Sequence, residues 1–188
     1  MAGGRRLWTV VVLAAAAGLG AGLWLSQPPW RSSPLPAPAG MPTVHAAQPG
    51  EPMPALTLPD LDGTPLALPG RFAGRPLLIN VWASWCGPCV EEMPELARFS
   101  AQQGDNGIQV VGLALDSAEA VREFLQQVPV DYPVVLETPG PADASVALGN
   151  TRGLLPYSVL VGADGRIVRQ KLGAFAPGEL DHWAQPAP

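Results

Sequence analysis

Both cysteines of the 188-residue chain stand in one pentapeptide, Trp85-Cys86-Gly87-Pro88-Cys89. Two thiols at this spacing can close a small disulfide ring, so the pair can exchange two electrons between dithiol and disulfide. The apolar run Leu77-Leu78-Ile79-Asn80-Val81-Trp82-Ala83 precedes the pair, and helical spacing follows it from about Val90 to Gln103. A helix start offers unpaired N–H groups and partial positive charge, which stabilise a thiolate. The pattern therefore predicts a redox centre at the junction of a buried strand and a helix. Gly87 permits close approach, and Pro88 has no N–H to leave unsatisfied at a helix start.

Other chemistries fit poorly. A zinc site needs about four ligands. Cys86 and Cys89 supply two, while His45 and His182 sit far away with no motif around them. Covalent haem attachment would need His at position 90, which is Val. No phosphate loop, Ser-His-Asp set or nucleotide fingerprint is present. No metal is expected, and no cofactor beyond the redox-active disulfide Cys86–Cys89.

The elements that position the pair are legible from punctuation and periodicity. Ala55–Leu58 and Pro65–Leu68 flank the turn signal Asp62-Gly63 and predict a hairpin. Pro76–Ala83 and Ile108–Leu115 are continuous apolar runs of the kind buried on both faces. Asp116 with Glu119 predicts a capping box for a helix through Gln127. A short strand at Val134–Leu136 and a short helix at Pro141–Leu148, ending at Gly149, follow. Strands at Pro156–Val161 and Ile167–Leu172 flank the turn Ala163-Asp164-Gly165, and Pro177–Ala184 predicts a closing helix. The order implies an α/β fold, a mixed central sheet flanked by helices.

The N-terminal part has a different character. Arg5-Arg6 precedes Leu7–Leu25, nineteen uncharged residues with Thr9 as the polar side chain. At about 1.5 Å per residue this nearly spans a bilayer core. Residues 1–6 are expected in the cytoplasm and 7–25 as a transmembrane anchor, with cleavage and secretion as the alternative. Residues 26–54 hold nine prolines and read as an extended linker. Residues 55–185 are expected as the folded domain. Beyond residue 50 the chain carries eight basic and sixteen acidic residues, a net charge of −8. That balance disfavours nucleic acid, which attracts basic surfaces.

This layout resembles the thioredoxin fold. Trp82-Ala83-Ser84-Trp85-Cys86-Gly87-Pro88-Cys89 is similar to that family's active-site segment, and Pro94 occupies the place of the proline that kinks its first active-site helix. Leu154-Leu155-Pro156-Tyr157 precedes a strand, where the family carries a cis-proline loop. With the anchor, the hairpin, the segment inserted before the cis-proline loop, and Glu92 three residues after Cys89, the chain resembles the membrane-anchored disulfide reductases of the TlpA/ResA type.

The resemblance implies roles. Cys86 is the attacking thiol and Cys89 the resolving one. Thioredoxins carry a buried Asp six residues before the first cysteine. Asn80 stands there and cannot titrate, so it is expected as an ordering polar group. Glu92 is the expected proton partner, although three nearby acids (Glu91, Glu92, Glu95) also suit a solvated helix face. Pro156 is expected against the disulfide, Leu155 to pair with an extended client segment, Trp85 to line the client groove, and Trp82 to sit in the core. A peroxidase of the related peroxiredoxin type would need a Pro-x-x-x-Thr-x-x-Cys context, which is absent.

The implied function is reduction of disulfides in extracytoplasmic client proteins, for example in cytochrome c or copper-centre assembly. Partners would be protein disulfides, a transmembrane thiol relay as reductant, and the membrane itself. The protein would act as a monomer, at a bacterial inner membrane with its domain in the periplasm. Two readings compete: a disulfide oxidase or isomerase of the same fold, and a non-catalytic tethered assembly module. Gly-Pro between the cysteines favours the reductant, and the intact cysteine pair argues against the module.

Overall fold

The computed structural model describes residues 44–185. The anchor expected at 7–25, and the linker as far as residue 43, lie outside the described residues. Among the described residues no helix is long and apolar enough to cross a membrane.

The hairpin forms as β1 (Leu56–Pro59) against β2 (Pro65–Leu68), antiparallel, with Leu58 opposite Leu66. Asp60 closes its turn by accepting from the Asp62 and Thr64 N–H groups. The main sheet follows: β3 (Leu77–Trp82), β4 (Gln109–Leu115), β5 (Val134–Glu137), β6 (Tyr157–Val161) and β7 (Ile167–Leu172). Their spatial order is β5-β4-β3-β6-β7. β3 is central and buried throughout, parallel to β4 and antiparallel to β6. A strand covered on both faces needs apolar residues at every position, which is why β3 reads as a continuous run. Asn80 interrupts it.

Alternation along β3 divides the core. Leu77, Ile79 and Val81 face the hairpin and the short helix α3 (Ala144–Ala147). Leu78 and Trp82 face α1 (Gly87–Gln102), α2 (Ala118–Gln127) and α4 (Glu179–Trp183). Trp82 is fully buried there, its ring 5.3 Å from that of Phe124. A side chain at Gly112 would have its Cβ 3.0 Å from the Trp82 indole nitrogen. Glycine there lets β4 pass close to Trp82. Layers of helix on both faces of a mixed sheet give the thioredoxin-like architecture that the sequence implies.

Three details differ from the sequence reading. Helix α2 is capped by Ser117, whose hydroxyl accepts from the Ala120 N–H, rather than by Asp116. Asp116 is occupied elsewhere, as described below. Helix α3 begins at Ala144 behind an Asp143 cap, later than Pro141, because the Asp143 carboxylate takes the Ser145 and Val146 N–H groups. The end of the expected linker also packs on the domain. Ala47 and Met53 are buried, the Ala47 N–H bonds the Ala147 carbonyl, and the Met53 N–H bonds the Gly165 carbonyl.

Candidate redox site

The sulfur pair sits where β3 gives way to α1. After Trp82 the chain turns, the Cys86 N–H bonds the Ala83 carbonyl, and Cys86 becomes the N-cap of α1. The Cys86 carbonyl receives the Cys89 and Val90 N–H groups, which starts the helix. Pro88 falls in the first turn, where no intrahelical donor is required. Cys86 and Cys89 are joined as a disulfide. Cys86 keeps 6% of its surface exposed and Cys89 none. An incoming group therefore meets Cys86 first, and Cys89 lies behind it. Trp85 next to the pair is 69% exposed, against full burial for Trp82.

Pro94 lies inside α1 without ending it. A proline there removes one helical N–H and crowds the preceding turn, which bends a helix. In the loop before β6, the Leu155–Pro156 bond is cis and Pro156 is buried. Leu155 packs against both halves of the core, including the half that holds the cysteines.

Glu92 is not on a solvated face. It is 2% exposed, one turn beyond Cys89 on the inner side of α1. One carboxylate oxygen accepts from the Asn80 amide at 2.8 Å and the other from the Phe175 N–H at 2.8 Å. Burial pushes its pKa up. The two hydrogen bonds and Lys171 offset part of that shift, and Glu179 adds to it. A carboxyl held in this way can take up or release a proton nearer neutral pH than a surface glutamate.

Asn80 serves this carboxyl from the central strand. Its amide nitrogen also donates to the Ser158 hydroxyl at 3.1 Å, on the neighbouring strand directly opposite in register. Ser158 was missed by the sequence reading. The available signal was a lone polar residue in the buried strand Tyr157–Val161. The loop before the cysteines has its own brace, also missed: Asp116 accepts from the Ser84 hydroxyl at 2.6 Å and the Ser84 N–H at 3.1 Å. Among the described residues no group of three or more metal-ligating side chains is gathered.

A disulfide at a helix start, with one sulfur reachable and a buried acid on the same helix face, can exchange with a disulfide of another chain. Comparison with known proteins agrees. The Redoxin family profile matches residues 48–183. The thiol-disulfide oxidoreductase ResA of Bacillus cereus is 27% identical over 137 residues, covering 72% of this chain and 76% of the relative. A crystal structure of a thioredoxin-related protein from Neisseria meningitidis is 32% identical with a TM-score of 0.59, covering 66% of this chain and 93% of that one. A thiol-disulfide oxidoreductase from Bacteroides fragilis is 26% identical with a TM-score of 0.59, covering 71% and 99%. A profile match over most of the folded domain, reinforced by a relative spanned almost end to end, establishes that the chain belongs to the redoxin family.

Proposed function

We propose that this protein is a thiol–disulfide reductase that donates two electrons to disulfides of client proteins outside the cytoplasm. Thiol–disulfide oxidoreductase chemistry is common to the ResA relative's name and to what the cysteine pair can do. The observation that carries the reductase reading is the arrangement of reachable Cys86, sealed Cys89 and buried Glu92 on one helix.

In the reduced protein the Cys86 thiolate attacks one sulfur of a client disulfide. A Cys86–client bond forms, and the other client sulfur leaves as a thiolate. Glu92 takes the Cys89 proton. Cys89 then attacks the Cys86 sulfur, the mixed disulfide breaks, and the second client thiolate departs. The client gains two electrons and the protein closes the Cys86–Cys89 disulfide. Trp85 and the Leu155 backbone would hold the client segment. A transmembrane thiol relay would restore the dithiol.

Residues 7–25 would anchor the chain in a bacterial inner membrane, with residues 1–6 in the cytoplasm and the folded domain in the periplasm. Clients in cytochrome c or copper-centre assembly suit that placement. Insulin reduction is the test. The wild-type protein should precipitate insulin chains in the presence of dithiothreitol, and Cys86→Ser should not. Equal rates for the two proteins would overturn the proposal.

A further inference from the structure

Glu92 is embraced from beyond its own helix. One row of residues crosses four strands in register: Gly112 of β4, Asn80 of β3, Ser158 of β6 and Lys171 of β7. Asn80 and Ser158 on this row reach the helix-facing side, since the Asn80 amide bonds Glu92 of α1. Lys171 ends the row at the sheet edge. Its ammonium pairs with Glu179 at 2.8 Å and lies 5.4 Å from the centre of the Phe175 ring. Glu179 also accepts from the Ala176 N–H at 2.8 Å, so the pair grips the loop whose Phe175 N–H holds Glu92. A groove of about 530 Å³ runs over this loop and is lined by Glu91, Glu92, Pro94 and Phe175 among others.

We propose that Lys171 and Glu179 are positioning residues for Glu92, a matched cation and anion that set the pH at which its carboxyl changes protonation. This deepens the acid–base role given to Glu92 above and rests on it. Paired, the two charges act on Glu92 in opposite directions; unpaired, either one acts on it alone. The other groups around Glu92 are Asn80, Ser158, Tyr132, Cys89, Glu91, Glu95 and Arg98. Of the charged members, Glu95 and Arg98 bond each other at 2.7 Å, and Glu91 is exposed. Tyr132 is buried and its hydroxyl is pushed further from ionising, partly by Glu92. The Lys171–Glu179 pair is therefore the adjustable element. Its side chains are 22% and 37% exposed, so salt should weaken the influence of either charge.

The test follows the Glu92 side-chain carboxyl by carbon-13 NMR as pH is varied, on the full chain, beside the thiol titration by alkylation. Glu179→Gln leaves Lys171 unpaired and should lower the Glu92 midpoint by roughly half a pH unit or more. Lys171→Gln leaves Glu179 unpaired and should raise it by a similar amount, while Lys171→Arg should keep the wild-type midpoint. Both shifts should shrink at high salt. Loss of loop packing alone would move the two glutamine variants in the same direction, and that result, or no shift in either, would overturn the proposal. If the Glu92 midpoint moves in opposite directions as expected but the thiol titration stays fixed, the pair's control of Glu92 stands and the acid–base role of Glu92 fails.

Discussion

The Asn80 amide nitrogen lies 2.8 Å from a carboxylate oxygen of Glu92, with both residues sealed from water. Asn80 belongs to the central strand, three residues before the active-site loop begins its turn, and Glu92 to the first turns of the helix that carries the cysteines. One hydrogen bond thus ties the sheet to the carboxyl proposed above as the proton partner of the pair. Replacing Asn80 by Asp would set two carboxyls at hydrogen-bond distance. Two such groups cannot both ionise cheaply, so they share a proton and titrate as a unit. Asn80→Asp should raise the upper apparent pKa of the site by about one pH unit or more. Carboxyl NMR would show it, and an unshifted upper titration would count against close coupling.

Glu92 gives a stability prediction with a definite sign. Its carboxyl has a raised pKa in the folded protein, mainly through burial. The folded state then binds the proton more tightly than the unfolded chain does. The favourable contribution is complete below about pH 4.3, the ordinary glutamate value, and is lost as pH rises through the folded-state pKa. Glu92→Gln removes this dependence. The stability difference between variant and wild type, from urea unfolding, should move in favour of the variant as pH climbs through that window. A pH-independent difference would contradict the assignment.

The two cysteines should behave differently when substituted. Cys86 is the reachable sulfur and Cys89 the sealed one. Cys89→Ser should therefore accumulate mixed disulfides with client proteins through Cys86, and Cys86→Ser should accumulate few or none. Non-reducing electrophoresis reads the adducts directly. Equal trapping by both variants would mean that Cys89 is also open to clients.

Trp82 and Trp85, three residues apart, should divide between stability and client binding. Trp82 fills the core beside Phe124, so Trp82→Ala should cost about 3–5 kcal/mol in urea unfolding. Trp85 is 69% exposed, so Trp85→Ala should leave Tm nearly unchanged and raise the KM for a protein disulfide several-fold. A Trp85 variant with unaltered KM would remove this side chain from the client surface.

The sequence made some of this legible for clear physical reasons. A buried central strand has to be apolar at every position, and Leu77–Trp82 reads that way with Asn80 as its exception. The helix start shows because Gly-Pro between the cysteines suits its first turn. What escaped were pairings across distant elements. Ser158 meets Asn80 across 78 positions and the Phe175 N–H meets Glu92 across 83, and no local pattern encodes either. Asp116 looked like a helix cap because Asp, Ser and Thr all cap well. Ser117 beside it could do the same work, which freed Asp116 to brace Ser84. The burial of Glu92 was equally hidden, since three acids close together on one helix give no sign of which faces inward.

The reduction potential of the Cys86–Cys89 pair tests the central claim most directly. Equilibration against thiol redox buffers, with the two states separated after alkylation, would give it. A protein that donates electrons to client disulfides should sit toward the thioredoxin end of the scale, near about −270 mV. A value near about −120 mV, typical of a strong disulfide donor, would contradict the account.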